Sequence, residues 1–569
     1  MKNLLIHCKN TSLVDLAEFK ENNIVFKIPD DLEVDRYMTN LIDEQIVPSQ
    51  PDAIFIKYAL ENDYIAFLGL RLGYHIRLYQ GDKKITDIPL IFVGEETITE
   101  LIRLSHFTDI LGTEGTYFIK EELHQAKTVL QRVESGQLSG CDSSADFLNR
   151  ITIQAPRNYD TRHSFINELS LYLWSRYIGN QEAAEQVKKR VENNLYFKYK
   201  INSEQYLKEQ EQITELPVFE VSSKILLIDD EAEKGWETFY EHLFSRSEKK
   251  VEFKSLNVSR NSSTEDVLVN AESAIREFNP DVILLDLRLT EQDVFEKDPK
   301  KLTGYSILKK IKTINRGTQV VVTSASNKSV VFRDLLNAGA DNYVLKNAEA
   351  IIGTSSLIEA IKLAINEAKI LKPIHTSLSI SIDAIRSDQL KKLDVGEDSD
   401  YYYEELKSEL ISYLSLVQEL LTNRNNTDRF SITLLQMHKC LEVITDYYIE
   451  SLFEKSSKPP QYEFYTGEHA HFFSMDDGNN IKVIKWKKSN HMSIVQKFFN
   501  TYHYFTNRPK SSLFVELKKL NKYRNSYSHP NLDRDFTSLE ALYEDDFKSF
   551  RKSFIRVTSA FFEFFIAIR

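Results

Sequence analysis

The chain has 569 residues, 42% hydrophobic and 27% charged, with a formal net charge of −12, and its length exceeds what one core can serve, so about three or four domains are expected. Three scattered cysteines, Cys8, Cys141 and Cys440, exclude a disulfide scaffold or a cysteine metal cluster and point to a reducing, cytoplasmic compartment. MKNLLIHCKN is no signal peptide, and the strongest apolar run, AFFEFFIAI near the C-terminus, is too short and too interrupted by Glu563 for a membrane helix.

From the N-terminus, NLLIHC (3–8), PDAIFIK (51–57), IPLIFVGEE (88–96) and GTEGTYFIKEE (112–122) read as short buried strands with polar ends. Residues 126–222 follow with helical periodicity, as in RHSFINELSLYLWSRYI (162–178), and read as a connector. Then the first pattern returns. KILLIDDE (224–231), KKVEFKSLNV (249–258), PDVILLD (280–286), QVVVTSAS (319–326) and NYVLK (342–346) are strand-like. Between them AESAIREF, TGYSILKKIKTI and VVFRDLLNAG are helical, and SSLIEAIKLAINEAKIL opens with Ser356 and Glu359 at capping-box spacing. Strands alternating with helices call for a parallel sheet covered on both faces, with chemistry at the strand C-termini.

Asp229, Asp230, Asp286, Ser324 and Lys346 all fall at such ends. Three converging carboxylates repel one another and need a cation, and oxygen ligands favour a hard ion such as Mg2+. A lysine and a hydroxyl beside them would suit a phosphoryl group on Asp286. With these residues in order, 223–372 resembles the receiver domain of bacterial two-component response regulators. The resemblance makes Asp229 and Asp230 the acidic pair and Asp286 the phospho-acceptor. It makes Ser324 the switch hydroxyl, Tyr343 the switch aromatic and Lys346 the invariant lysine, and it implies Mg2+ and a sensor histidine kinase. Two departures stand out: Asn347 where the family has proline, and a charged loop, TEQDVFEKDPKK, that stretches the segment before Gly304 by about ten residues.

On the same scheme the first copy puts His7 and Cys8 at the acidic pair, Lys57 at the acceptor and Gly94 at the hydroxyl, and keeps only Lys120. Such a domain holds neither Mg2+ nor an aspartyl phosphate, so 1–125 resembles a receiver without the chemistry, a pseudo-receiver. Lys57 is then a blocking ammonium or simply an exposed lysine.

From about residue 400 the period becomes helical, interrupted by HAHFFSMDDGNNIKVIKWKK, which alternates around Asp477-Gly478 like a hairpin. Residues 481–569 carry 17 Lys and Arg against 8 Asp and Glu, which leaves −21 on residues 1–480. A basic end suits RNA or DNA, with Lys482, Lys485, Lys487, Lys488 and Trp486 available for charge and stacking; a solvated basic face gives the same count. LKKLNKYRNSYSHP places Arg524, Asn525 and His529 in an R-N-x3-H spacing that resembles the HEPN domains of prokaryotic ribonucleases. That resemblance implies a composite site across a homodimer that cleaves RNA through its own 2′-hydroxyl, without metal, in systems that serve phage defence or growth arrest. His suits proton transfer and Arg suits the charged transition state. Arg157, Asn158 and His163 in the connector also fit the loose form of the motif.

The expected architecture is therefore α/β: two doubly wound five-stranded receiver-like domains, the first degenerate (1–125 and 223–372), a helical connector (126–222) and an all-α, HEPN-like C-terminal domain (373–569). The expected function is a phosphorylation-controlled response regulator with an endoribonuclease output. The alternatives are a non-catalytic adaptor whose helical domain dimerises or binds RNA or a partner protein, and a nucleotide-binding module.

Overall fold

The computed structural model describes all residues except 1, 9–10, 29–32, 61–66, 155–161, 208–212, 214, 326–328, 347–349, 393–398, 424–427, 456–461, 465–471, 476–480, 485–493, 507–510 and 529–546. The chain folds as two compact units. One comprises residues 1–217, 233–245 and 345–355, and the other residues 218–232, 246–344 and 356–569.

In the first unit, apolar runs of five or fewer residues form β1 (Asn3–His7), β2 (Asn23–Val25), β3 (Ala53–Lys57), β4 (Leu90–Gly94) and β5 (Thr116–Lys120). They make one parallel sheet in the order β2-β1-β3-β4-β5. Residues along β1, β3 and β4 are buried on both faces, as a sheet covered by helices requires. Helix Leu123–Glu134 follows β5 and passes residue 125 unbroken. Helices Arg162–Tyr177, Gln181–Val191 and Leu195–Leu207 carry the connector sequence. Helix Trp236–Phe244 and residues 345–355 complete this unit. Trp174 meets Trp236 edge-to-face at 5.6 Å, and a Cβ on Gly353 would stand 2.4 Å from the Trp174 ring.

A buried charge cluster joins helix Val34–Leu41, helix Leu68–Arg77 and helix Leu195–Leu207. Asp35 accepts from Arg71 Nε at 2.6 Å and Nη2 at 2.8 Å, and from the amide of Leu195 at 3.1 Å. His75 Nε2 lies 2.9 Å from Asp35, and Lys198 Nζ lies 3.4 Å from His75 Nδ1. Burial would raise Asp35, but His75 and Arg71 outweigh it and hold the carboxyl well below its usual range. Burial lowers His75 to about 4, against Asp35, and lowers Lys198 to about 8.

In the second unit β6 (Ser223–Asp229), β7 (Val251–Asn257), β8 (Val282–Leu285), β9 (Gln319–Ser324) and β10 (Asn342–Leu345) repeat the topology, in the order β10-β9-β8-β6-β7. The repeated Pro-Asp has the same task in both copies. The Asp52 amide donates to the Lys2 carbonyl at 2.8 Å while its carboxylate accepts from the Lys2 amide at 2.6 Å. Asp281 makes the same pair with Lys224, at 2.8 and 3.0 Å. Each aspartate thus fixes where the third strand starts beside the first.

The capping box expected at Ser356 is not formed, because the helix runs from Ala350 to Arg386 and Ser356 lies inside it. Packing of Gly353 on Trp174 and burial of Thr354 carry the helical backbone upstream of the expected cap. The helix also passes residue 372 without a break. Helices Ser399–Thr422, Arg429–Leu452, Ile494–Thr506, Ser511–Ser528 and Phe547–Ala567 follow. They close a core that includes Leu410, Met437, Leu441, Phe498, Phe514 and Phe561. Phe564 and Phe565 of the apolar C-terminal run lie in that core, and among the described residues no helix is long and apolar enough to cross a membrane. The expected hairpin is present as Phe472–Met475 paired antiparallel with Ile481–Ile484; Asp477-Gly478, Lys485, Trp486, Lys487 and Lys488 lie outside the described residues. A second pair, Phe453–Lys455 with Tyr462–Phe464, was not expected.

The Asp35 cluster makes the first unit acid-sensitive. Below the ordinary histidine value of 6.5, unfolded His75 takes up a proton that folded His75 refuses until about 4, so stability is lost as pH falls through that window. Urea unfolding should show wild type losing about 2 kcal/mol more than His75→Gln between about pH 7 and pH 5. Equal slopes would remove His75 from this role.

Candidate functional site

At the C-terminal edge of the second sheet, β6 ends in Asp229, Asp230 follows it, and Asp286 follows β8. One carboxylate oxygen from each lies within 4.8 Å of the others. Asp229 and Asp286 are buried, and the Asp230 side chain is 2% exposed. Asp229 Oδ1 accepts from the Glu231 amide at 2.8 Å, and Asp286 Oδ1 from the Leu287 amide at 2.5 Å. Burial, then the charges of Asp229, Asp286 and Glu231, push the Asp230 carboxyl above its usual range, with Arg260 opposing. An oxygen-only donor set of mutually repelling acids fits a small hard cation, as Mg2+ is.

Ser324 ends β9 and is buried. Its side chain shares a hydrogen bond with the hydroxyl of Tyr343 on β10, which burial and the Asp286 charge push up to about 12. Asp229, Asp230, Asp286, Ser324 and Tyr343 are thus brought together. Lys346 follows β10 and is buried, with its ammonium 4.7 Å from the Trp236 ring centroid. Asn347 lies outside the described residues.

The stretched segment after Asp286 is folded around one acid. Asp293 is buried and accepts from the amides of Leu289 (2.8 Å), Thr290 (3.0 Å) and Thr303 (2.9 Å). Arg288 donates to the carbonyls of Asp293, Val294 and Glu296. Gly304 then packs against Asp286, where a Cβ would stand 2.4 Å from the Asp286 carbonyl oxygen. Thr290 and Asp293 form a capping box, a spacing legible in the sequence but passed over within a charged run. Arg260, after β7, was missed as well. It pairs with Asp230 and, at 2.9 Å, with Glu231. Nothing local marks a loop arginine as a partner of acids some thirty residues away.

In the first copy Lys57 ends β3 and pairs with Glu121 at 2.9 Å, so its charge is answered from the end of β5. Its ammonium is therefore held in place by Glu121 and is not merely exposed. Tyr58 fills the adjoining space. It is buried, its hydroxyl accepts from the amides of Glu95 and Glu96 at 3.2 Å, and a Cβ on Gly94 would stand 1.5 Å from its ring. His7 Nδ1 lies 2.7 Å from the Cys8 carbonyl, and the Cys8 thiol reaches the Ala59 carbonyl at 3.5 Å. Lys120 is exposed. Among the described residues, the one cluster of three metal-ligating side chains is that of Asp229, Asp230 and Asp286, in the second copy.

In the helical region Arg524 and Asn525 sit near the end of helix Ser511–Ser528, with Arg524 Nη1 donating to Asn525 Oδ1 at 3.0 Å. His529 lies outside the described residues, as do Arg157 and Asn158, and His163 falls on helix Arg162–Tyr177. Helix Arg429–Leu452 brings up residues that sequence reading passed over. Glu442 lies 3.8 Å from Arg524 and 3.4 Å from buried His438 Nδ1, and His438 Nε2 lies 3.0 Å from Asn521 Oδ1. Burial lowers His438, with Asn521 and Glu442 acting against it. His438 and Glu442 are four apart and face the motif helix, a pattern that one helix alone does not distinguish from core.

Residues 10–119 match the family described as inactive receiver domain, which agrees with the emptied first site. Among solved structures, the chain is similar to a two-component response regulator of the LuxR family from Aurantimonas sp. (19% identity, 25% of this chain and 85% of that one, TM-score 0.20). It is also similar to the receiver domain of Francisella response regulator 1452 (20% identity, 25% and 99%, TM-score 0.18). A third match is the signal receiver domain of a modulated diguanylate cyclase from Desulfovibrio desulfuricans (19% identity, 26% and 97%, TM-score 0.19). No curated protein matches the chain. The chain carries two receiver-like domains, with the acidic site in the second.

Because Tyr58 occupies the space beside Gly94, Gly94→Ala should overpack the first core and lower stability by about 2 kcal/mol in thermal unfolding. Lys57→Asp should gain no phosphate from acetyl phosphate and Mg2+, since the metal acids are absent there. A second labelled site in that variant would contradict the closed-pocket description.

Proposed function

We propose that the chain is a phosphorylation-controlled response regulator whose C-terminal domain is a HEPN-like, metal-independent endoribonuclease. The convergence of Asp229, Asp230 and Asp286 beside the bonded Ser324–Tyr343 pair supports the receiver part of this reading, and the endoribonuclease part rests on the resemblance of Arg524, Asn525 and His529 to the HEPN motif. A sensor histidine kinase supplies the phosphoryl group: its phosphorus–nitrogen bond breaks, and a bond forms to an Asp286 carboxylate oxygen. Asp229, Asp230 and Asp286 would hold Mg2+, whose charge, when bound, offsets the phosphoryl oxygens. In the receiver resemblance, Lys346 is the lysine whose ammonium answers the phosphoryl charge. A phosphoryl oxygen on Asp286 competes for the Ser324 hydroxyl proton, so phosphorylation reorganises the Ser324–Tyr343 hydrogen bond and changes the surface around it.

In the output domain, His529 moves the protons and Arg524 stabilises the phosphorane-like charge, with Asn525 beside it. The RNA 2′-oxygen attacks phosphorus and the 5′-oxygen leaves, giving a 2′,3′-cyclic phosphate and a 5′-hydroxyl. The composite site requires a homodimer, and a cytoplasmic role in phage defence or growth arrest goes with it. One observation favours a non-catalytic adaptor instead. Arg524 is engaged by Asn525 and lies near Glu442, as a helix-packing arginine would be.

Acetyl phosphate with Mg2+ should add one hydroxylamine-labile phosphate, and Asp286→Asn should abolish it by mass spectrometry. Label persisting in that variant would reject the acceptor. Incubation with total RNA should yield 2′,3′-cyclic ends that survive EDTA added to the active enzyme. Arg524→Ala and His529→Ala should each lower cleavage by about a hundredfold or more, with circular dichroism unchanged. Cleavage that stops with EDTA and returns with Mg2+ would replace this mechanism, and its absence in both phosphorylation states would leave the adaptor.

A further inference from the structure

The acid pocket already contains a cation of the chain's own. Arg260 lies in the turn after β7, directs its guanidinium at Asp230 and Glu231, and is 28% exposed against 2% for each carboxylate. Its position is held by the stretched segment. The Glu291 amide donates to the Arg260 carbonyl at 3.1 Å, and Thr264 reaches Gln292 at 3.4 Å and Thr303 at 3.3 Å. Asp293 in turn fixes that segment through buried hydrogen bonds. So the inserted residues that depart from the receiver pattern build a floor under the turn that carries Arg260.

We propose that Arg260 is a specificity-determining residue that sets the divalent-cation threshold of the receiver. The inference rests on the reading of Asp229, Asp230 and Asp286 as a metal site. A cation entering beside Asp230 meets a guanidinium on the same carboxylate, so it must displace Arg260 or bind against its charge. Either way the metal binds more weakly than three bare carboxylates would hold it. Without metal, Arg260 keeps Asp230 and Glu231 compensated and the pocket folded, because buried acids need a partner. Arg260 is the outermost of these groups, so it can leave toward solvent without unpacking the sheet.

The test is calorimetric titration of the full-length protein with MgCl2, without any phosphodonor. Arg260→Ala should bind Mg2+ about tenfold more tightly than wild type, and Arg260→Lys, which keeps the charge, should stay near wild type. If Arg260→Ala proves misfolded by circular dichroism, Arg260→Gln keeps a donor for Asp230 without the charge and carries the same expectation. Affinity in the charge-removed variant equal to or weaker than wild type overturns the role of Arg260 while leaving the metal site intact. Loss of binding in Asp286→Asn confirms that the heat reports the acid pocket. No saturable binding in wild type, Arg260→Ala or Arg260→Gln overturns both this inference and the metal reading on which it rests.

Discussion

Parallel strands end together, so whatever residues close them meet in a crevice that water barely enters, and an unpaired charge there costs several kcal/mol. Both copies obey this constraint, with opposite signs. In the second, three carboxylates lie within 4.8 Å of one another, and their repulsion raises the Asp230 carboxyl while Arg260 opposes it. In the first, one lysine at the corresponding strand end is answered by one glutamate, and Tyr58 takes up the remaining space. The second arrangement gathers acids that a cation can bridge, and the first replaces them with a single ion pair.

The sheets were legible because their signal is local and repeated. Short, largely apolar runs bounded by polar residues mark most strands, and the repeated Pro-Asp marks the third strand of both copies. The acid trio was legible for the same reason, since strand ends in such a sheet share an edge. What could not be read depends on contacts distant in sequence. Arg260 sits in a turn with no pattern of its own, and Glu121 becomes meaningful only once β5 lies near β3. Ser356 and Glu359 have the right spacing for a cap, yet packing of Gly353 against Trp174 prevails over that local preference. In the helical domain His438 and Glu442 look like core spacing until helix Ser511–Ser528 brings Asn521 and Arg524 to them.

A compact unit is not the same thing as a sequence repeat. The helix that follows the acid pair, Trp236–Phe244, and the segment that begins at Leu345 fold with residues 1–217. Their anchor is aromatic: Trp236 lies edge-to-face with Trp174 and Phe239, and Lys346 rests its ammonium on the Trp236 ring. A cation over an indole face is held more loosely than one in a buried ion pair. Lys346 is thus set against the ring on which the aromatic packing of this unit is built.

The paired copies separate what the fold needs from what the chemistry needs. Asp52 and Asp281 each exchange hydrogen bonds with the start of the neighbouring strand, and both copies keep the residue. Gly69 and Gly304 each press against the carbonyl of the residue that ends or follows the third strand, Lys57 or Asp286, and a side chain on either would collide. These positions hold the backbone in place whatever the strand tip carries. The tip itself is free to change sign, provided that a partner arrives from a neighbouring strand or loop. A different strand tip therefore requires no different fold: one glutamate for Lys57 and a tyrosine packed beside Gly94 satisfy the first copy's edge where the second gathers acids.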